Sequence, residues 1–172
     1  MKAVEDNRDV LKTSFPSAGS PLSKEEVIKK FNMQQHPEGG YYVETFRSNI
    51  TVQTPIGERC ASTAILFLLG QGDCSNLHRI RGEEAWHYYA GGPIAIVEQV
   101  EGSKTFNTTI LGPNIEIGHK LQHVVPANVW FGAYVDHPHA EYSLVGCTVA
   151  PGFDFQVKFI SFLVFLRFKL VR

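Results

Sequence analysis

The chain is short of the features that define several large classes of protein. Its three cysteines, Cys60, Cys74 and Cys147, are odd in number and form no CxxC pair. That usage fits the reduced thiols of an intracellular protein, not a disulfide frame. No stretch reaches the roughly 18 apolar residues of a membrane span. The opening MKAVEDNRDVLKTSF is charged and lacks the apolar centre of a secretory signal. An excess of charge is missing too: 16 Lys and Arg offset 17 Asp and Glu, for a formal charge of −1. Such a balance gives no electrostatic footprint for nucleic acid or an anionic membrane. There is no internal repeat and no glycine-rich strand-to-helix turn of the kind that holds nucleotides. The expectation is a cytoplasmic protein that binds neither nucleic acid nor membrane.

What remains is a chain of 172 residues, 44% of them hydrophobic. A single domain of this size buries roughly 70% of its unfolded surface and needs no metal or disulfide to fold. Residues 1–22 are polar and are predicted to form a flexible arm. Ser23 then stands three residues before Glu26 in SKEEVIKKF. This capping box predicts a short helix with Val27, Ile28 and Phe31 on its apolar side, stopping before His36-Pro37.

From residue 40 the pattern becomes one of short β-rich runs separated by turn residues. Strands are predicted at Tyr41–Arg47, Ser62–Leu69, Glu84–Ala90, Ile94–Val100, Lys104–Leu111, Leu121–Val125, Val129–Val135 and Tyr142–Val149. Strands at such regular spacing, behind a single helix, predict an all-β sandwich or barrel.

The segment with the most chemistry is Gly72-DCSNL-His78-R-Ile80-RGE-Glu84-AWHYYA-Gly91. Alternation places His78 and Ile80 on one face of a strand, and Glu84, Trp86 and Tyr88 on one face of the next. If the two strands pair across the Arg81-Gly82 turn, an imidazole and a carboxylate meet among aromatic walls. A small-molecule pocket has this composition: mostly apolar, with a few convergent polar groups. His87 is predicted to face away from Glu84. His137-Pro138-His139 reads as an exposed loop. His119 and His123 have helical spacing around a strand start and receive no joint role. His36, before a proline and a double glycine, reads as part of a turn.

The glycine, histidine and glutamate spacing resembles the first motif of the cupin superfamily, matched at Gly72, His78, Glu84 and Gly91. Pro126-Ala127-Asn128-Val129-Trp130-Phe131 resembles the second, with Asn128 in place of its glycine; Asn also adopts left-handed turns. Three further stretches, HPEGGYY at 36–42, EEAWH at 83–87 and VGCTVAPGFDF at 145–155, resemble one branch of the small cupins. The resemblance covers roughly residues 32–155. It implies a cupin jelly roll spanning residues 23–155, often a homodimer, similar in fold to the sugar-nucleotide epimerases.

Metal-binding cupins use three histidines and a glutamate. Here Ile80 and Phe131 occupy the positions of two of the histidines, so no cofactor is predicted. A divalent metal would be held weakly at best, by His78 and Glu84. Without metal, the resemblance to the epimerases implies proton transfer beside a carbonyl on a sugar-like or nucleotide-sugar-like ligand. His78 and Glu84 would form its base and Tyr88 its acid. The alternatives are a weakly metal-dependent cupin enzyme and a non-catalytic ligand-binding module, the latter with Arg47, Arg79 or Arg81 as an anion clamp and Trp86, Tyr88, Trp130 and Phe131 as stacking surfaces. Residues 156–172 depart from the family pattern. Their run QVKFISFLVFLRFKLVR is expected to be a divergent hydrophobic tail whose removal leaves the barrel folded.

Overall fold

A computed structural model describes residues 22–55, 57–154 and 158–160. Apart from Leu22 the predicted arm lies outside the described residues, as does most of the predicted tail.

The capping box forms as its residues dictate. The Ser23 hydroxyl accepts from the Glu26 amide at 3.3 Å, and the Glu26 carboxylate accepts from the Ser23 amide at 2.8 Å. The helix, α1, runs over Lys24–Lys30. Seven residues are too few for a helix to hold alone in water. Tertiary packing supports this one, because Val27 and Met33 bury against Leu68, Tyr142 and Leu144 on the outside of a sheet.

Thirteen strands follow among the described residues: β1 (Gln34–Gln35), β2 (Tyr41–Arg47), β3 (Thr51–Thr54), β4 (Gly57–Cys60), β5 (Thr63–Gly70), β6 (Cys74–Ile80), β7 (Glu83–Gly91), β8 (Ile94–Gln99), β9 (Phe106–Leu111), β10 (Gln122–Val125), β11 (Phe131–Val135), β12 (Tyr142–Ala150) and β13 (Lys158–Ile160). One sheet has the order β1-β2-β5-β12-β7-β10 and the facing sheet the order β13-β6-β11-β8-β9, while β3 and β4 form a separate hairpin. All the pairings between these strands are antiparallel. The result is the predicted all-β jelly-roll barrel with one short helix. Strands β5 and β12 read as almost unbroken apolar runs because both of their faces are covered, one by the barrel interior and the other by α1.

The pairing of β6 differs from the sequence expectation. It does not form a hairpin with β7. It pairs with β11 on one side and β13 on the other, whereas β7 lies in the opposite sheet between β12 and β10. The Arg81-Gly82 segment is therefore a corner between sheets. Its geometry is held by Asn128, which takes the left-handed conformation (φ +64°) and donates its amide to the Ile80 carbonyl at 2.7 Å. Residues 78 and 84 still face one interior, but from opposite sheets instead of along a ladder.

Candidate functional site

One end of the barrel encloses a cavity of about 460 Å³, within the range of small-molecule sites. His78 and Ile80 reach it from β6, Glu84 and Trp86 from β7, and Cys147 and Val149 from β12. Two further polar residues reach it from the turn that precedes β2. These are His36 and Glu38, neither of them given a role by the sequence.

The turn is built by its glycines. The His36 amide donates to the Gly40 carbonyl at 2.9 Å, and the Gly39 amide to the His36 carbonyl at 3.0 Å. Gly39 (φ +109°) lies so close to β6 that a Cβ there would run into the Cys74 carbonyl oxygen. The Glu38 carbonyl accepts from the Asn76 amide at 2.8 Å, fastening the turn to β6. His36 is thus in a turn, as predicted, yet its ring packs edge-on to Tyr42 (4.8 Å) and Phe67 (5.5 Å) inside the chamber. Its Nδ1 accepts from the Glu38 amide at 3.2 Å, so that nitrogen carries no proton. The 3.7 Å approach of Nδ1 to the Glu38 carboxylate is therefore not an ion pair.

His78 has the more consequential environment. Its Nδ1 lies 2.7 Å from the Asn76 carbonyl. A carbonyl only accepts, so Nδ1 carries a proton. Its Nε2 lies 3.1 Å from Glu38 Oε2, and the two side chains are 4% and 5% exposed. At that distance a proton must lie between nitrogen and oxygen. The pair consequently holds one shared proton, either as imidazolium and carboxylate or as imidazole and carboxylic acid. The sequence reading gave His78 the partner Glu84; the carboxylate against the imidazole is that of Glu38. Glu84 faces the same chamber from the opposite sheet, where it accepts a hydrogen bond from the Cys147 thiol. Burial first, then the charge and hydrogen bond of Glu84 and the charge of Glu38, push that thiol well above its ordinary value. Cys147 is thus a buried thiol rather than a nucleophile at neutral pH.

Aromatic rings close the chamber floor. Trp86 meets Phe67 and Phe131 in edge-to-face contacts at 5.8 and 6.3 Å, and Phe131 lies 4.2 Å from the His78 ring. Trp86 lines the cavity. Phe131 is fully buried beneath His78 and does not appear in the lining, so it supports the imidazole rather than offering a stacking face. Trp130, the next residue along, points to the other side of the sheet by alternation. There its ring lies 5.1 Å beneath the Arg79 guanidinium, away from the chamber.

Tyr88 shares the inward face with Glu84 but stands four residues along, about 13 Å away at the rise of a strand. It packs against the apolar core, and its hydroxyl donates to the Gly91 carbonyl at 2.6 Å. Burial, and secondarily Tyr142, raise its pKa. It is not among the lining residues, so a proton-donor role for Tyr88 has no support in the geometry. Arg47 does line the chamber. Its Nε and Nη2 donate to Glu44 at 2.9 and 2.6 Å, and Nη1 donates to the Phe153 carbonyl at 3.3 Å. An arginine so engaged braces the wall and has little capacity left as an anion clamp. His87 faces outward, between Gln122 (2.9 Å) and Thr148 (3.3 Å), as alternation predicts.

The donor set does not fit a metal of the usual cupin kind. Ile80 lines the chamber at one histidine position, Phe131 is buried at another, and both nitrogens of His78 are committed to Asn76 and Glu38. Among the described residues no group of three His, Cys, Asp or Glu side chains is arranged to hold a metal ion.

Two facing antiparallel sheets around a polar chamber define a cupin-type barrel. The family described as cupin superfamily (DUF985) matches residues 25–159, and the chain belongs to that family. A hypothetical protein from Leishmania major is 35% identical, with a TM-score of 0.76 over 81% of this chain and 88% of that one. An uncharacterised protein of Saccharomyces cerevisiae is 28% identical over 165 residues, covering 82% of this chain and 76% of its own length. Oxalate decarboxylase from Bacillus subtilis shares the fold alone, at 16% identity and a TM-score of 0.54, over 81% of this chain and 32% of that longer one.

Proposed function

We propose that the chamber binds a small hydroxylated, sugar-like molecule and moves a proton beside its carbonyl group without a metal. The observation that carries this reading is the 3.1 Å contact between His78 Nε2 and the Glu38 carboxylate, both side chains buried, with Nδ1 of the same ring on the Asn76 carbonyl. Across the chamber stands a second carboxylate, Glu84. In this reading Glu84 takes the carbon-bound proton, the electron pair moves onto the carbonyl oxygen, and the Glu38–His78 pair supplies a proton to that oxygen. Acid and base on opposite sides of one cavity is the arrangement general acid–base catalysis needs. Gln34, Thr63 and Ser75 offer hydroxyl and amide groups to ligand hydroxyls, and Trp86 and Phe67 offer apolar faces.

The test is carbon-bound hydrogen exchange in D₂O, followed by NMR across keto sugars, nucleotide sugars and keto acids, with thermal shift to report binding. Wild-type protein is expected to exchange at least one ligand that also stabilises it. Glu84→Gln and His78→Asn should lower exchange by about 10²- to 10⁴-fold while binding persists. A ligand that binds without exchange in wild-type protein would make the chain a binding module. No stabilising ligand in the whole panel would remove both readings.

A further inference from the structure

The chamber holds a buried group that the proposed chemistry leaves unused, the thiol of Cys147. This residue is 3% exposed and lines the cavity from β12. In register across the sheet it faces Ile65 on β5 and Trp86 on β7. Along its own strand Val145 and Val149 flank it on the same face. Isoleucine and valine side chains have no hydrogen-bonding atoms, and an indole only donates. The thiol's acceptor is the Glu84 carboxylate. Glu84 stands opposite Val149, which makes it the diagonal neighbour of Cys147 on the inward face. Long side chains reach across that spacing.

The surroundings of Glu84 give the contact its meaning. The residues in register with it, Val125 on β10 and Val149 on β12, are apolar. Trp86, two residues along β7, leaves its indole N–H without a partner, so it does not hold the carboxylate. Among these neighbours on β7, β10 and β12 the thiol is the donor. A hydrogen bond to one carboxylate oxygen limits rotation of the side chain and fixes where the other oxygen points. An S–H group is a weak donor. It can set this orientation without strong competition for the electron pairs that accept a proton.

We propose that Cys147 is a positioning residue for Glu84: its S–H holds one carboxylate oxygen and turns the other toward the ligand's carbon-bound hydrogen. The proposal rests on Glu84 acting as the base, as argued above. The sulfur keeps its proton throughout and forms no bond to the ligand.

The contact is read first without a ligand. In protein carrying Cys60→Ser and Cys74→Ser, Cys147 is the remaining thiol, and its S–H stretch is visible by infrared spectroscopy. That band should move to higher frequency in Glu84→Gln, because an amide oxygen is a weaker acceptor than a carboxylate. The role is read from hydrogen exchange in D₂O with whichever keto sugar, nucleotide sugar or keto acid the wild-type protein exchanges. Cys147→Ala should lower kcat by roughly ten- to a hundredfold with KM unchanged. Cys147→Val, which fills the space but donates nothing, should be as slow. Cys147→Ser, which keeps a donor, should recover most of the rate. An unmoved S–H band, or exchange by Cys147→Val at the wild-type rate, would overturn the proposal. Wild-type protein that exchanges no compound of the panel removes the base and its positioning together. Exchange with an unmoved band removes the positioning alone.

Discussion

The interior changes character along β7. At Glu84 and Trp86 the inward face opens onto the chamber; at Tyr88 the same face is packed solid against the core. In the packed half, Leu69, Ile94, Ile96, Leu111 and Val145 are fully buried and fill the space between the sheets. In the open half, the inward positions carry shorter or polar groups: His36, Glu38, Ser75, His78, Glu84 and Cys147. Both halves obey the same alternation of side chains, so alternation alone does not make a cavity. The difference lies in what the inward residues can fill and in the aromatic floor that divides the halves.

That division can be broken at the floor. Trp86→Ala removes the ring that meets both Phe67 and Phe131, and should lower unfolding free energy by about 3–5 kcal/mol in denaturant titrations. A smaller change would mean that the chamber, not the floor, sets the packing. Next in size is His78→Ala, which leaves the buried Glu38 carboxylate without its imidazole. A loss of about 3 kcal/mol is expected, and Glu38→Gln should lose less because an amide carries no charge. Equal losses would argue against the shared proton.

The aliphatic walls offer a finer comparison. Ile96→Val in the packed half should lower stability by about 1 kcal/mol. Ile65→Val faces existing empty space, and its expected effect is no more than half of that. The smallest effect concerns pH. The Cys147 thiol has a raised folded value, so the folded state keeps a proton that the unfolded chain releases above about 9.0. Stability linked to this thiol is complete below that pH and declines as pH rises toward the folded value. Unfolding of Cys147→Ala between pH 8 and 10.5 should show a shallower fall than wild type.

Much of the barrel is legible in the sequence. Strand β2 has the predicted bounds, β8 and β12 differ by a residue, and the capping box and the left-handed Asn128 follow from residue type. The hairpin β3–β4 is not predicted, because its residues are mostly polar and exposed and give no alternating apolar signal. The site is legible only in part. His78, Glu84, Trp86 and Arg47 line the chamber, but Glu38 and His36 enter from a glycine turn, where side-chain direction follows from positive φ values and not from strand periodicity. Their signal is Glu38 itself, a carboxylate set between a proline and two glycines beside an apolar strand. The two-residue Arg81-Gly82 link between β6 and β7 suits a hairpin and a corner alike. Only the competing partner β11 decides between them.

The corner has a consequence for how occupancy would be felt. His78 and Glu84 belong to different layers, joined in sequence by that one short link. Any guest that grips both layers acts as a staple between them, holding the mouth at a fixed width. Its arrival should therefore be visible far from the groups it touches, as slowed amide exchange at positions 81 and 82 and along the edges of both layers.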